Sequence, residues 1–304
     1  MIVVRDLKKS YANIPAVRGI SFELAQGSVT GFLGPNGAGK TTTLRILSGF
    51  MPASSGSVEI AGFDVHNRSR EVRRRIGYLP EDIPLYRDMT VRAFLEYMAG
   101  LKEVPRNQVK RETERVIEQT GLGPVRNLLI SKCSRGYRQR TGLAMALLGD
   151  PEVLLLDEPT SGLDPNQVVE VRNLIRELSG KKTVLLSSHI LSEVDQICTH
   201  VLIIHEGRLA ASGTPAELID RSEQGRRLRL RGTIERSWLE GIRGVTRIEN
   251  KDGTWVLDVE DPDLAAPEIA KAILEGGGGL IELAHESSDL ESVFRDLTRE
   301  AGDA

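Results

Sequence analysis

Gly34-Pro35-Asn36-Gly37-Ala38-Gly39-Lys40-Thr41-Thr42 decides how this 304-residue chain is read. It fits the pattern G-x-x-x-x-G-K-[ST], in which a glycine-rich loop joins a strand to a helix and cradles phosphate. The apolar run 29–33 ahead of it predicts a short buried strand, and 42–47 behind it predicts the helix. Backbone N–H groups of such a loop converge on one point, and the helix dipole adds positive potential there. Glycine lets the backbone approach the β- and γ-phosphates, Lys40 supplies a point charge, and the Thr41 hydroxyl reaches a Mg²⁺ bound to the same phosphates. The expected ligand is a Mg-nucleoside triphosphate.

The rest of the composition limits the alternatives. Lys and Arg number 40 against 43 Asp and Glu, a net charge of −3 with both signs interspersed, which argues against a general nucleic-acid binder. The length leaves room for two domains or one large one. Cys133 and Cys198 show neither paired spacing nor a His/Cys metal pattern, which points to a reduced, cytosolic compartment. No apolar run approaches the roughly 20 residues that span a bilayer. The first six residues read as a strand, without the basic start and long apolar core of a signal peptide. A membrane role would therefore run through a partner.

Outward from the loop, 2–4 and 20–24 read as strands, with Tyr11 in the turn-rich connection between them, where its ring can stack on an adenine. Residues 56–62 read as a strand ending in a turn, the arginine-rich run 68–75 as a solvated face, and 76–80 as a short strand handing the chain to Glu81. Thr90 is placed as the N-cap of a helix carrying Val91, Phe94, Leu95 and Met98 on one face. A second helix carries Val109, Val116 and Ile117. Both belong to a helical insertion in a nucleotide-binding core. Ser134 and Gly136 open a further helix and offer a second anion site. Val153-Leu154-Leu155-Leu156-Asp157-Glu158 is a strand buried on both faces, with two acids at its carboxyl end, where ligands bind in open α/β sheets. There an Asp holds Mg²⁺ through water and a following Glu polarises the attacking water. A turn at 161–165, a helix over 167–178, a strand over 183–186 and His189 just beyond it complete the set. His189 can reach a γ-phosphate.

This ordered set, from Gly34–Thr41 through Glu81, Ser134-Arg135-Gly136, Asp157-Glu158 and Ser161–Asp164 to His189, resembles the ATP-binding subunit of an ABC transporter over about residues 1–218. The resemblance implies an α/β P-loop NTPase fold with a helical subdomain at about 88–150. It implies a head-to-tail homodimer with ATP held between one subunit's phosphate loop and the other's signature segment. In that scheme Tyr11 stacks on adenine, and Gly37, Gly39, Lys40, Thr41 and Thr42 take the phosphates and metal. Asp157 supports Mg²⁺, Glu158 activates water, His189 contacts the γ-phosphate, and Asp164 couples the two sites. Ser134 and Gly136 close over the γ-phosphate from the opposite subunit.

Two stretches depart from the family. The usual Leu-Ser-Gly-Gly-Gln reads Cys133-Ser134-Arg135-Gly136-Tyr137, and the usual glutamine metal ligand is Glu81. Residues 77–91 resemble ATPases of the ABC-2 export type, such as drug-resistance and gliding-motility exporters. The implied protein is an ATP-hydrolysing motor on the cytoplasmic face of the cell membrane, driving an integral-membrane permease. The competing reading is a soluble regulatory ATPase whose C-terminal domain binds protein. Residues 222–225 read as a polar linker, and 222–304 as a small α+β domain of order βαββαβ, a ferredoxin-like layer. Its expected elements are strands 227–231, 245–249, 255–259 and 280–284, helices 234–242 and 267–274, and a last helix with Leu290, Val293, Phe294 and Leu297 on one face.

Overall fold

The computed structural model describes residues 1–220, 227–251, 253–285, 290–291 and 293–294. Two units result, Met1–Ser212 and Gly213–Ala304. The first opens with the hairpin β1 (Ile2–Tyr11) and β2 (Ile14–Leu24), then runs through β3 (Val29–Leu33), the glycine loop and α1 (Lys40–Leu47). Next come β4 (Ser55–Ile60), β5 (Phe63–Asp64), α2 (Ser69–Arg75) and β6 (Ile76–Leu79). The helices α3 (Val91–Leu101), α4 (Val109–Gln119) and α5 (Arg135–Leu147) pack on one another as the inserted layer. The unit closes with β7 (Val153–Asp157), α6 (Pro165–Leu178), β8 (Thr183–Ser188), α7 (Leu191–Ile197), β9 (His200–His205) and β10 (Arg208–Gly213).

Apolar patterning sorts these strands into two sheets. Every residue of β3, β7 and β8 is buried, as continuous apolar runs require when helices or a second layer cover both faces. They form the centre of the sheet β10-β9-β3-β8-β7-β6, and β3 pairs in parallel with both β8 and β9. The antiparallel sheet β2-β1-β4-β5 packs on it through Ile2, Ile20 and Ile60 against Phe32, Leu155, Leu185 and Leu202. At these fully buried positions a Leu→Ala change costs about 2–5 kcal/mol. Parallel alignment puts the ends of β3, β7 and β8 on one edge, so the phosphate loop, Asp157 and Ser188 emerge together. This is the α/β fold of a P-loop NTPase with a helical insertion.

In the second unit α8 (Pro215–Asp220) precedes β11 (Arg227–Thr233), α9 (Arg236–Leu239), β12 (Val245–Lys251), β13 (Thr254–Val259), α10 (Pro262–Glu275) and β14 (Gly279–His285). The order β12-β13-β11-β14, antiparallel throughout, is the ferredoxin-like arrangement. Period-two alternation explains β11: Leu228 and Leu230 enter a core with Leu257, Ile269 and Ile273. Arg227 and Arg229 turn outward to Asp258 at 2.6 Å and Glu282 at 2.5 Å, a solvated charged face.

Several local expectations shift. Tyr11 ends β1, paired with Ile14, and does not lie in an irregular connection. The first helix starts at Lys40 and the helix after Asp164 at Pro165. The helix expected over 234–242 is only Arg236–Leu239, because Glu235 and Glu240 on either side are extended. The helix expected from Pro267 begins at Pro262. Asp261 caps it by accepting from the N–H groups of Asp263 and Leu264, and Pro262 at the first position gives up no hydrogen bond. Pro267 stands inside the helix, its cost offset by the burial of Ile269 and Ile273. Leu290, Val293 and Phe294 are helical, while Leu297 and the expected linker 222–225 lie outside the described residues.

Candidate active site

Close packing dictates glycine at the two ends of the phosphate loop. A Cβ on Gly34 would lie 2.4 Å from the carbonyl oxygen of Ile204, and one on Gly39 would lie 2.6 Å from that of Ala16. Gly39 also has φ +108° and is the N-cap of α1, so the loop turns straight into a helix N-terminus. The Lys40 ammonium is buried and donates to the carbonyls of Gly34 at 2.6 Å and Pro35 at 3.1 Å. It stands 3.9 Å from Glu158 Oε1. Burial holds this lysine below its ordinary value, while the carboxylates of Glu158, Asp157 and Glu81 oppose the shift.

Asp157 ends β7 with no exposed surface. Its Oδ1 accepts from Ser187 Oγ at 2.7 Å and Thr41 Oγ1 at 3.2 Å. Its Oδ2 is buried with no hydrogen-bond partner among the described residues. Burial raises the carboxyl above its usual range, against the two hydroxyl bonds. A buried, half-satisfied carboxylate beside a threonine hydroxyl is an arrangement that a cation completes.

Glu158 follows at φ +48°, its N–H donating to Ser187 Oγ at 2.9 Å. The Oε2 atom lies 2.9 Å from His189 Nδ1, and the two side chains differ in exposure, the carboxylate being nearly buried and the imidazole half exposed. Lys40, Glu158 and His189 thus meet at one end of an open cleft of about 480 Å³, which Asn36, Gly37, Gly39, Thr41, Thr42, Glu81 and Ser161 also line. The carboxylate is placed to accept a proton, with a cation and an imidazole on either side of it.

Tyr11 stands beside this cleft, its hydroxyl 3.5 Å from Thr42 Oγ1 and 3.2 Å from Met51 Sδ, with the ring 44% exposed. Ser134, Gly136 and Asp164 do not line it. Ser134 caps α5, its Oγ accepting from Tyr137 N at 3.3 Å, and Asp164 caps α6, accepting from Gln167 N at 3.0 Å. Gly136 packs so closely on Gln167 that a Cβ there would meet its Oε1 at 2.3 Å. Ser187 is the site residue absent from the sequence reading. Its only signal was a hydroxyl at the carboxyl end of a buried strand, two residues before His189.

The ABC transporter family profile matches residues 17–161. The bacitracin transport ATP-binding protein of Bacillus licheniformis is 42% identical over 211 residues, which are 69% of this chain and 68% of that one. The Nod factor export ATP-binding protein I of Cupriavidus metallidurans is 34% identical over 308 residues, covering 98% of this chain and 97% of that one. A solved ATP-binding subunit of an ABC transporter superposes with a TM-score of 0.66 at 28% identity, over 73% of this chain and 92% of that chain. The chain belongs to the ABC transporter ATP-binding proteins. As an ABC ATPase it binds ATP and hydrolyses it to ADP and phosphate. The likeness to the Cupriavidus ABC protein extends through the second unit as well.

Proposed function

We propose that this ABC ATPase is the motor subunit of an ABC-2-type exporter, coupling hydrolysis to a separate integral-membrane permease. The observation that carries the hydrolytic assignment is the Glu158 carboxylate held between His189 at 2.9 Å and Lys40 at 3.9 Å on the wall of the cleft. The export assignment draws on relatives named for bacitracin transport, Nod factor export and linearmycin resistance. Among the described residues no helix is long and apolar enough to cross a membrane, so transport requires a spanning partner. Residues 1–218 form the motor, associated with the cytoplasmic face through that permease, and 222–304 form an accessory domain.

The chemistry follows from the residues. Loop atoms of Gly34, Pro35, Asn36, Gly37, Ala38, Gly39, Thr41 and Thr42, with Lys40, take the phosphates, and Tyr11 takes the adenine. Thr41, Glu81 and the unpartnered Oδ2 of Asp157 are oxygen donors suited to a hard divalent cation, and would hold Mg²⁺. That ion, when bound, neutralises charge on the phosphate oxygens. Glu158 orients a water and accepts its proton as the water oxygen bonds to the γ-phosphorus and the bond from that phosphorus to the bridging oxygen breaks, releasing ADP; His189 fixes the carboxylate and faces the γ-phosphate. Lys40 stabilises the charge that grows on the transferring group. Two copies pair head to tail, and Ser134 and Gly136 of one close over the nucleotide of the other while Asp164 links the two sites.

Glu158→Gln tests the assignment. Turnover is expected to fall on the order of 10²-fold or more with ATP affinity intact, and the ATP-loaded variant is expected to co-purify a multi-span permease from solubilised membranes. Undiminished turnover removes Glu158 from its role. Soluble partners alone, with ATP bound, would count against the transporter assignment.

A further inference from the structure

Glu158 adopts a left-handed backbone, φ +48°, which a residue with a Cβ holds only under restraint. The segment that follows is restrained residue by residue. The Pro159 carbonyl accepts from Gln139 Nε2 at 2.9 Å, Thr160 Oγ1 donates to Glu193 Oε2 at 2.5 Å, and the Ser161 carbonyl accepts from Arg135 Nη2 at 3.3 Å. Gln139, Thr160 and Glu193 are 8%, 5% and 7% exposed, and none of them lines the nucleotide cleft. Gln139 and Arg135 belong to α5, the helix capped by Ser134. Glu193 belongs to α7, which starts two residues after His189.

The Thr160–Glu193 bond therefore ties the connection after β7, which carries Glu158, to α7, the helix that directly follows His189. We propose that Thr160–Glu193 and Gln139–Pro159 form a brace that positions Glu158 against His189, making Gln139, Thr160 and Glu193 positioning residues for hydrolysis. The proposal rests on Glu158 being the hydrolytic base. Without the brace the Glu158 backbone keeps only the Ser187 Oγ bond to its N–H and the Ser161 N–H bond to its carbonyl, and relaxation toward negative φ swings its carboxylate away from His189. A displacement on the order of 1 Å is enough to lower turnover up to about 10²-fold. Nothing in the brace touches the phosphate loop, so ATP binding is spared.

The test compares Thr160→Val with Thr160→Ser, each in the natural chain and in Glu158→Gln. Valine keeps the branched carbon skeleton and removes the hydroxyl, while serine keeps the hydroxyl. Thr160→Val should lower kcat about tenfold or more with KM for ATP within about twofold, and Thr160→Ser should restore it. In Glu158→Gln, Thr160→Val should add nothing, because the two changes act on one group. Unaltered kcat in Thr160→Val beside a crippled Glu158→Gln overturns the brace alone. So does an equal loss with serine, or a loss that multiplies that of Glu158→Gln. Full turnover in Glu158→Gln removes the base, and the brace with it.

Discussion

Asp157→Asn is the sharpest probe of the proposed metal site, because two readouts should move in opposite directions. In the natural chain the carboxylate is fully buried, with Oδ1 satisfied by Ser187 and Thr41 and Oδ2 unpartnered. The asparagine oxygen can keep both hydroxyl bonds, so the substitution mainly removes a buried charge. An unsatisfied buried group costs about 1–3 kcal/mol, and for the unit of residues 1–212 each kcal/mol shifts Tm by about 2–4 °C. The asparagine Nδ2 inherits the unpartnered position, so only the charge penalty is relieved, and the nucleotide-free variant should melt higher than the natural protein by about 2–4 °C for each kcal/mol relieved. The sign depends on pH. Burial raises the Asp157 pKa, so its stabilising contribution is present below the ordinary carboxylate value and is lost as pH rises through the raised one. The asparagine advantage should thus grow as pH rises above the ordinary carboxylate value and vanish in acid. With a non-hydrolysable ATP analogue and Mg²⁺ the variant's advantage should shrink, and it inverts once the ligand stabilisation lost exceeds the gain. Ligand at 100-fold its Kd stabilises by about 2.7 kcal/mol, and each tenfold loss of Mg-dependent affinity removes about 1.4 kcal/mol of that. Differential scanning calorimetry with EDTA and with Mg²⁺ separates the two effects. A variant that keeps the full Mg²⁺ increment refutes the assignment of Asp157 Oδ2 as a cation ligand, and one that melts lower without nucleotide refutes the buried-charge penalty.

Two further substitutions test other parts of the molecule. Ser134→Asp keeps an N-cap acceptor for Tyr137 N and favourable charge at the start of α5, so stability should stay within about 1 kcal/mol. The same carboxylate would repel a γ-phosphate from a second copy, so ATP-dependent dimerisation in analytical ultracentrifugation and ATPase activity should both be lost; retained dimerisation contradicts the composite site. Lys102 is half-buried, its ammonium donating to the carbonyls of Ile76, Ala146 and Leu148, and desolvation there pushes its pKa down to about 8. Relative to Lys102→Met, the natural protein should gain about 3 kcal/mol as pH rises from about 8 to 10.5, where the unfolded lysine still binds its proton. Urea unfolding at pH 7, 8.5 and 10 checks this, and a constant difference between the two proteins contradicts it.

What the sequence disclosed, and what it hid, follows from the range of the interactions. β3, β7 and β8 were legible because burial on both faces forces unbroken apolar runs, and the phosphate loop because its glycines are demanded by contacts at Ile204 and Ala16. Ser187 was not legible. Its hydroxyl matters only because the register of β7 and β8 sets it beside Asp157. Gln139 and Glu193 were hidden for the same reason, each reaching a carbonyl or hydroxyl at least 20 residues away. The start of α10 was misplaced because either of two prolines can open a helix, and only the Asp261 cap distinguishes them. Tyr11 lay in a strand because Ile14 pairs with it across a tight hairpin that periodicity alone could not locate.

The pairing of β3 also sets the order of events during synthesis. This strand carries the phosphate loop, yet its neighbours are Thr183–Ser188 and His200–His205. A ribosome adding about 5–20 residues per second makes Lys40 roughly 8–33 seconds before His205. For most of that interval the loop has its glycines and lysine but neither flanking strand, and no sheet edge from which to present them. The nascent chain therefore acquires its nucleotide pocket only when the first unit is almost entirely made, so a ribosome-bound fragment ending before residue 200 should be blind to ATP.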